Sequence, residues 1–194
     1  MEYTMTKDVK EKAKKPHYVD NKVFLAAMLE WKDEVNEAES EGEEIPPIPE
    51  YIGECFYKIA THLSYRPNFI NYTYREEMIG DGIENCIQYA KNFNPEKSKN
   101  PFAYFTQIIY YAFVRRIQKE KKQLYIKYKT MDSQATLGDN IDISEHDQDQ
   151  NYVFETMTND QKVNMYDFIS NFEDAKKKKK VTKKSSTIEM FMTT

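Results

Sequence analysis

Residues 76–122, EEMIGDGIENCIQYAKNFNPEKSKNPFAYFTQIIYYAFVRRIQKEKK, hold two helical patterns that are joined by an Asn-Pro turn and end in positive charge. In the first pattern, apolar residues recur every three or four positions, which at about 100° per residue gives one stripe facing a core. Thr73 lies three residues before Glu76, the spacing of a capping box, and predicts the helix start. Asn94-Pro95 predicts its end. The stripe comprises Met78, Ile79, Ile83, Cys86, Ala90 and Phe93.

The opposite side of this first helix is acidic and polar. A face of this kind is either a solvated surface or a surface that binds another protein. Gly80 and Gly82 favour close contact, because a glycine inside a helix costs about 1 kcal/mol relative to alanine. They predict a place where something packs against the backbone. The residues on the acidic side are Glu77, Asp81, Glu84 and Gln88.

The second helix is predicted to begin at Asn100-Pro101, where Asn caps and Pro suits the first helical position. Its apolar stripe comprises Phe102, Phe105, Ile109, Ala112, Phe113 and Ile117, and its other side carries Tyr104, Gln107, Tyr111, Arg115, Gln118 and Lys122. Exposed tyrosines can stack on unpaired bases, and nearby Arg and Lys neutralise phosphates, so this side suits single-stranded nucleic acid. The alternative that the tyrosines pack under a neighbouring segment stays open.

Two more amphipathic helices are predicted upstream, one capped by Asp20 or Asn21 and one that starts near Tyr51. Their apolar residues are Val23, Phe24, Ala27, Met28, Trp31 and Val35 in the first helix, and Tyr51, Ile52, Cys55, Ile59 and Leu63 in the second. Four helices can bury one small core, which predicts an all-α fold. The predicted organisation is a disordered segment 1–16, a helical domain 17–130, an acidic segment 131–175, a lysine-rich flexible tether 176–185 and a C-terminal peptide 186–194.

Charge is strongly segregated along this chain of 194 residues, although the net charge is only -4. Residues 97–129 contain nine Lys or Arg and one Glu, whereas residues 131–174 contain eleven Asp or Glu and one Lys. The basic strip suits nucleic acid, and the acidic segment is either an electrostatic screen or, preferably, a solubilising linker.

Other residue types give no sign of a catalytic site. Cys55 and Cys86 stand alone within apolar patterns and are predicted to be reduced core residues. The three histidines, His17, His62 and His146, fit no metal or catalytic motif. We therefore expect no enzyme activity, no metal and no cofactor. The longest apolar run is too short to span a membrane, and a membrane partner is not expected.

The run from Glu77 to Ile117 resembles region two of bacterial sigma factors. The likeness lies in the EMIGDG sequence, the Phe93-Asn94-Pro95 turn and the aromatic-rich second helix. The chain is more closely similar to the late-transcription sigma factors of T-even-like bacteriophages. That likeness adds the EMIxDGIE run, the Asn100-Pro101-x-Ala103-Tyr104 helix start and the Arg-Ile-x-Lys-Glu sequence from Arg116 to Glu120, together with Asn21-Lys22 and Trp31-Lys32.

This resemblance implies two binding surfaces. Glu77, Asp81 and Gly82 match the sigma helix that docks on the clamp helices of the polymerase β′ subunit, and Glu84 and Gln88 extend that face. The resemblance also places Tyr104, Thr106 and Tyr111 on the segment that engages the melting promoter element, and Gln107 belongs to the same DNA-binding set. The basic end of the helix is expected to follow the phosphate backbone through Arg115, Arg116, Lys119 and Lys122. The tryptophan pair that is typical of the family is replaced by Gln107 and Ile108, so melting is expected to depend on an activator or on AT-rich DNA.

The C-terminus carries a short apolar cluster after seven lysines within residues 176–184. An apolar cluster on a tether is typical of a peptide that binds a partner's groove. It resembles the peptide by which phage late sigma factors hold the replication sliding clamp. The implied clamp-binding residues are Ile188, Met190, Phe191 and Met192.

The expected function is that of a phage sigma factor acting in the cytoplasm of the infected bacterial host. Its expected partners are host core RNA polymerase, promoter DNA and the phage sliding clamp, and a late-transcription coactivator is left open. One alternative is a module that binds the polymerase and redirects it without recognising a promoter. Another is a clamp-associated replication or repair accessory, which would bind the clamp but not the polymerase.

Overall fold

The computed structural model describes residues 17–137 and 156–192, and every regular element in these ranges is helical. The helices are α1 (Asn21–Glu41), α2 (Glu50–Ser64), α3 (Arg75–Tyr89), α4 (Pro101–Leu137) and α5 (Asn159–Met192), with a 3-10 turn at Ala90–Asn92. The all-α prediction is therefore confirmed.

The helix starts follow local hydrogen-bonding chemistry at two of the predicted sites. The Asp20 carboxylate accepts from the backbone N–H groups of Lys22 and Val23 and caps α1. Asn100 accepts from Ala103 N at 3.0 Å and caps α4. The start of α3 was predicted wrongly, because Tyr74 rather than Thr73 occupies the cap position and makes no side-chain cap hydrogen bond.

The chain divides into two units, Met1–Arg116 and Ile117–Thr194. In the first unit the predicted stripes of α1 to α4 supply a core rich in phenylalanine. The rings of Phe24, Phe56 and Phe105 meet one another with centroids 4.5 to 6.1 Å apart, and Phe93 joins Phe105. The core residues that the sequence predicted and the structure buries include Met28, Trp31, Val35, Ile52, Ile59, Met78, Ile109 and Phe113.

Gly82 lies where α3 and α4 pack tightly together. A Cβ at this position would lie 3.0 Å from Ile109 Cγ2 and 3.1 Å from Phe113 Cε1. The close packing that the two glycines predicted therefore occurs within the chain at Gly82. A Cβ at Gly80, by contrast, would have nothing within 4 Å.

The second unit contains the C-terminal part of α4 and helix α5. Met131, Met165 and Ile169 are buried, and the Tyr125 ring stacks on Phe172 with centroids 4.5 Å apart. The Tyr125 hydroxyl donates to Glu173 at 2.9 Å. The interpretation of the acidic segment as a solvated linker is thus wrong for residues 159–175. Apolar side chains recur there at helical spacing and are buried, while the charged side chains occupy the rest of the helix surface.

The lysine-rich run predicted as a tether has helical backbone in the structure, as part of α5. Residues 159–192 contain neither Gly nor Pro, so nothing in the local sequence interrupts a helix. The predicted disordered segment 1–16 lies outside the described residues. Within the described ranges, no helix is both long and apolar enough to cross a membrane.

Candidate functional surfaces

The acidic side of α3 is only partly free to meet a partner. Glu77, Glu84 and Gln88 are exposed. Asp81 is half-buried, and Gly82 is buried against α4. Of the five residues predicted to bind polymerase, Gly82 thus serves packing inside the chain, and the three exposed side chains form the surface that we call the α3 face.

Asp81 forms an ion pair with Arg116 of α4. The Asp81 Oδ2 to Arg116 Nε distance is 2.8 Å, and Arg116 Nη2 donates to Asp81 Oδ1 at 3.3 Å. One turn away, Arg115 Nη2 donates to Asn85 Oδ1 at 2.7 Å, and Asn85 Nδ2 donates to the Asp81 carbonyl. Residues predicted for two different partners are therefore bonded to each other, and the pairing fixes α3 against α4.

The two tyrosines of the predicted DNA-binding side differ in environment. Tyr111 is 51% exposed, so its ring is available to a ligand. Tyr104 is half-buried, edge-on to Phe93 and Phe105 with centroids 5.3 and 5.0 Å away, and burial raises its pKa. The alternative that a tyrosine packs under its neighbours thus applies in part to Tyr104 and not to Tyr111.

The other predicted DNA-binding residues vary in the same way. Gln107 is exposed, whereas Thr106 is half-buried and its hydroxyl donates to the Phe102 carbonyl at 2.6 Å. Lys119 and Lys122 are exposed and belong to the second unit. Within the first unit, the exposed part of the predicted side therefore consists of Gln107, Tyr111 and Arg115, which we call the α4 face.

The sequence pattern did not identify a second group of aromatic and basic residues in the same unit. Tyr110, next to Tyr111, is 42% exposed, and the two ring centroids are 5.7 Å apart. The loop between α2 and α3, residues 65–74, carries three tyrosines, and Arg75 lies 4.8 Å above the Tyr65 ring. For the loop residues, only the amino-acid composition could have indicated a binding surface, because a loop has no helical or strand periodicity.

The clamp-binding prediction falls on Ile188, Met190, Phe191 and Met192. Their backbone belongs to α5, but their side chains lie outside the part of the structure that is described. The prediction for these residues stays a prediction.

The two cysteines occupy apolar interior positions, as predicted. Cys55 and Cys86 are buried and form no disulfide, and burial raises the pKa of both thiols. A raised pKa keeps a thiol protonated and unreactive near neutral pH. Among residues 17–137 and 156–192, no three His, Cys, Asp or Glu side chains are grouped so as to hold a metal ion.

No protein-family model matches this chain, and no curated protein matches it either.

Proposed function

We propose that the protein is a small sigma factor that binds bacterial core RNA polymerase and directs it to AT-rich late promoters of a phage. The proposal is supported most by the α4 face. Its exposed tyrosine, Tyr111, lies one helical turn from Gln107 and one turn from Arg115. The apolar side of the same helix packs in the core. A rigid aromatic ring beside an amide and a guanidinium can stack on a base, hydrogen-bond its edge and contact a phosphate.

Polymerase docking is assigned to the α3 face. Glu77 and Glu84 are exposed, whereas Asp81 is engaged by Arg116. Exposed carboxylates on a rigid helix attract a basic partner surface and orient it, mainly through the association rate. The two glutamates therefore carry the electrostatic part of docking, and Asp81 acts indirectly by holding α3 in place.

Promoter opening on this proposal relies on one ring of the α4 face, that of Tyr111, which is 51% exposed. Stacking of a base on an aromatic side chain contributes about 1 to 3 kcal/mol by alanine substitution. One such contact offsets only the unstacking of a flexible step such as TA, which fits a preference for AT-rich sequence. Lys119 and Lys122, further along α4, contribute sequence-independent phosphate contacts.

The proposed function includes coupling to the DNA-loaded sliding clamp through Ile188, Met190, Phe191 and Met192. A second attachment to the same DNA raises the local concentration of the polymerase complex at the promoter without any new promoter contact. A clamp-binding assay with a C-terminally truncated chain measures this coupling separately from promoter recognition. Unchanged clamp binding by the truncated chain would contradict the assignment.

The test of sigma function is run-off transcription by purified bacterial core polymerase on supercoiled DNA carrying an AT-rich late promoter. We expect correctly started transcripts only when the protein is present. Tyr111→Ala should lower their yield by roughly 5- to 150-fold, the equivalent of about 1 to 3 kcal/mol of stacking. Tyr57→Ala is the matched control, because Tyr57 is a tyrosine on α2 with similar exposure, 57% against 51% for Tyr111.

Polymerase binding is measured in parallel with Glu84→Lys, and with Glu34→Lys as control, since Glu34 is an exposed acid on α1. We expect only Glu84→Lys to weaken binding. Binding to core without any start site, with clamp present, would replace the sigma assignment by a module that redirects the polymerase without reading DNA. Clamp binding without polymerase binding would instead indicate a replication or repair accessory.

A further inference from the structure

We infer that the loop between α2 and α3, together with Tyr110 of α4, forms a second binding surface for single-stranded DNA. This surface, called the loop surface below, comprises Tyr65, Arg66, Arg75 and Tyr110. The inference rests on the proposed function and extends it, because it gives the unpaired strand a path beyond Tyr111.

The loop surface combines aromatic rings with positive charge. Residues 65–75 read YRPNFINYTYR and contain three tyrosines, a phenylalanine and two arginines but no acidic residue. Tyr65 is 55% exposed, and the Arg75 guanidinium lies over its ring with Cζ 4.8 Å from the centroid. Tyrosine rings with cations beside them bind unpaired bases and their phosphates without sequence preference.

The loop is held in a fixed conformation. Phe69 N and Ile70 N both donate to the Arg66 carbonyl, at 2.8 and 2.9 Å, and make a tight turn. Phe69 is buried and lies edge-on to Tyr110 and Phe113, with centroids 5.6 and 5.2 Å away. A surface ordered before binding does not lose conformational entropy when a ligand arrives, which favours affinity.

The loop lies alongside α4, next to the residues already proposed to contact DNA. Arg66 lines the same small pocket as Thr106 of α4. Phe69 contacts Tyr110, which is one turn further along α4, and the Tyr110 ring contacts Tyr111. Exposed rings therefore continue from the α4 face to Tyr110, with the loop beside them, as a strand with successive unstacked bases requires.

A protein partner explains this composition less well. Protein interfaces favour tyrosine and arginine too, but they also supply apolar anchors in well-packed pockets. The exposed side chains of the loop are instead mainly polar, with Ile70 as its one exposed aliphatic side chain of large size. Arg75 Nη2 lies 3.7 Å from Glu76 Oε1, whereas Arg66 is exposed and follows Tyr65 directly in the chain. An exposed cation next to an aromatic ring neutralises a phosphate while the ring stacks on a base, so single-stranded DNA is the occupant that we assign.

The experiment is fluorescence anisotropy of a labelled AT-rich single strand titrated with the full-length protein alone, at several salt concentrations. Tyr65→Ala should weaken binding about tenfold and leave the salt dependence unchanged, because it removes stacking only. Arg66→Gln should reduce the slope of log K against log salt by about 0.7, the value for one phosphate contact on a single strand. Tyr57→Ala is the control and should bind like wild type.

Unchanged affinity and slope in both loop variants would overturn the inference, and so would failure of the wild-type protein to bind the single strand. Unchanged affinity and slope in both loop variants would instead indicate that the loop surface binds a protein partner. The proposed function fails separately, because it is decided by transcription with core polymerase. Loop variants that transcribe like wild type while Tyr111→Ala does not would overturn this inference and leave the sigma assignment intact.

Discussion

Replacing each of the two glycines of α3 with alanine should have opposite effects on stability. Both positions lie inside the same helix, so each substitution gains about 1 kcal/mol of helix propensity. At Gly80 the new methyl group has nothing within 4 Å. Gly80→Ala should therefore raise the free energy of unfolding by about 0.5 to 1 kcal/mol.

Gly82→Ala adds the same methyl group where there is no room. Its Cβ would lie 3.0 Å from Ile109 and 3.1 Å from Phe113, and both side chains are fully buried. Overpacking a tight core costs about 1 to 3 kcal/mol, which outweighs the propensity gain. We expect Gly82→Ala to lower the free energy of unfolding by about 1 kcal/mol, so the two variants should differ by roughly 2 kcal/mol.

The assay is equilibrium urea denaturation followed by tryptophan fluorescence. Trp31 is the only tryptophan and is buried in the first unit, so its signal reports on the unit that contains both glycines. The comparison requires equal m-values, which show that both variants expose the same surface on unfolding. Circular dichroism checks that helix content is unchanged.

Equal stabilisation by the two alanines would refute the packing argument at Gly82. A second check uses the Ile109→Ala background, in which the nearest clashing atom is gone. There Gly82→Ala should recover part of its propensity gain, giving a favourable coupling between neighbouring sites. Additive effects of Gly82→Ala and Ile109→Ala would show that Ile109 is not the cause.

Three further predictions concern charge, pH and capping. A double-mutant cycle with Asp81→Asn and Arg116→Gln should give a coupling of about 1 kcal/mol in urea denaturation, because the pair is partly shielded from solvent; a value near zero would remove its role in fixing α3. Burial raises the pKa of Cys86 in the folded protein, whereas the thiol of the unfolded chain ionises near pH 8.5. Above about pH 8.5 the unfolded state therefore loses a proton that the folded state keeps, and the free energy of unfolding should fall with pH. The fall should be steeper in wild type than in Cys86→Ala, by up to about 1.4 kcal/mol per pH unit. Parallel pH profiles under reducing conditions would contradict this. Asn100→Ala should cost about 1 kcal/mol through loss of the α4 cap, measured by thermal unfolding, whereas an unchanged midpoint would assign no role to the Asn100 to Ala103 hydrogen bond.

Much of the fold followed from periodicity and from local chemistry. The apolar stripes predicted α1 to α4 and most of their buried residues, because a helix repeats every 3.6 residues and one face must leave water. Asp20 and Asn100 were recognisable as caps because their side chains bond to nearby backbone, which needs no tertiary contact. Thr73 was not the cap, since Tyr74 occupies the N-cap position of α3 and makes no side-chain cap hydrogen bond.

Helix α5 shows where composition misleads. The dense charge of residues 131–175 suggested a solvated linker, yet Met165 and Ile169 are buried. A few apolar residues at helical spacing can bury one face while charges occupy the rest. A count of charges over a long window ignores the spacing of the apolar residues, so it does not reveal the buried face of the helix.

What the sequence alone determined was the all-α class, the apolar stripes and the two capped helix starts, because these depend on contacts between residues close in the chain. Only the tertiary structure decided which polar side chains remain available to partners. Asp81 and Arg116 are 35 residues apart in sequence, and nothing local indicates that they pair. Likewise Gly82 faces Ile109, Tyr104 is half-buried while Tyr111 is exposed, and the loop at residues 65–74 is anchored on Tyr110 through Phe69. Exposure depends on which helices pack together, so it is a property of the folded unit and not of the helix pattern.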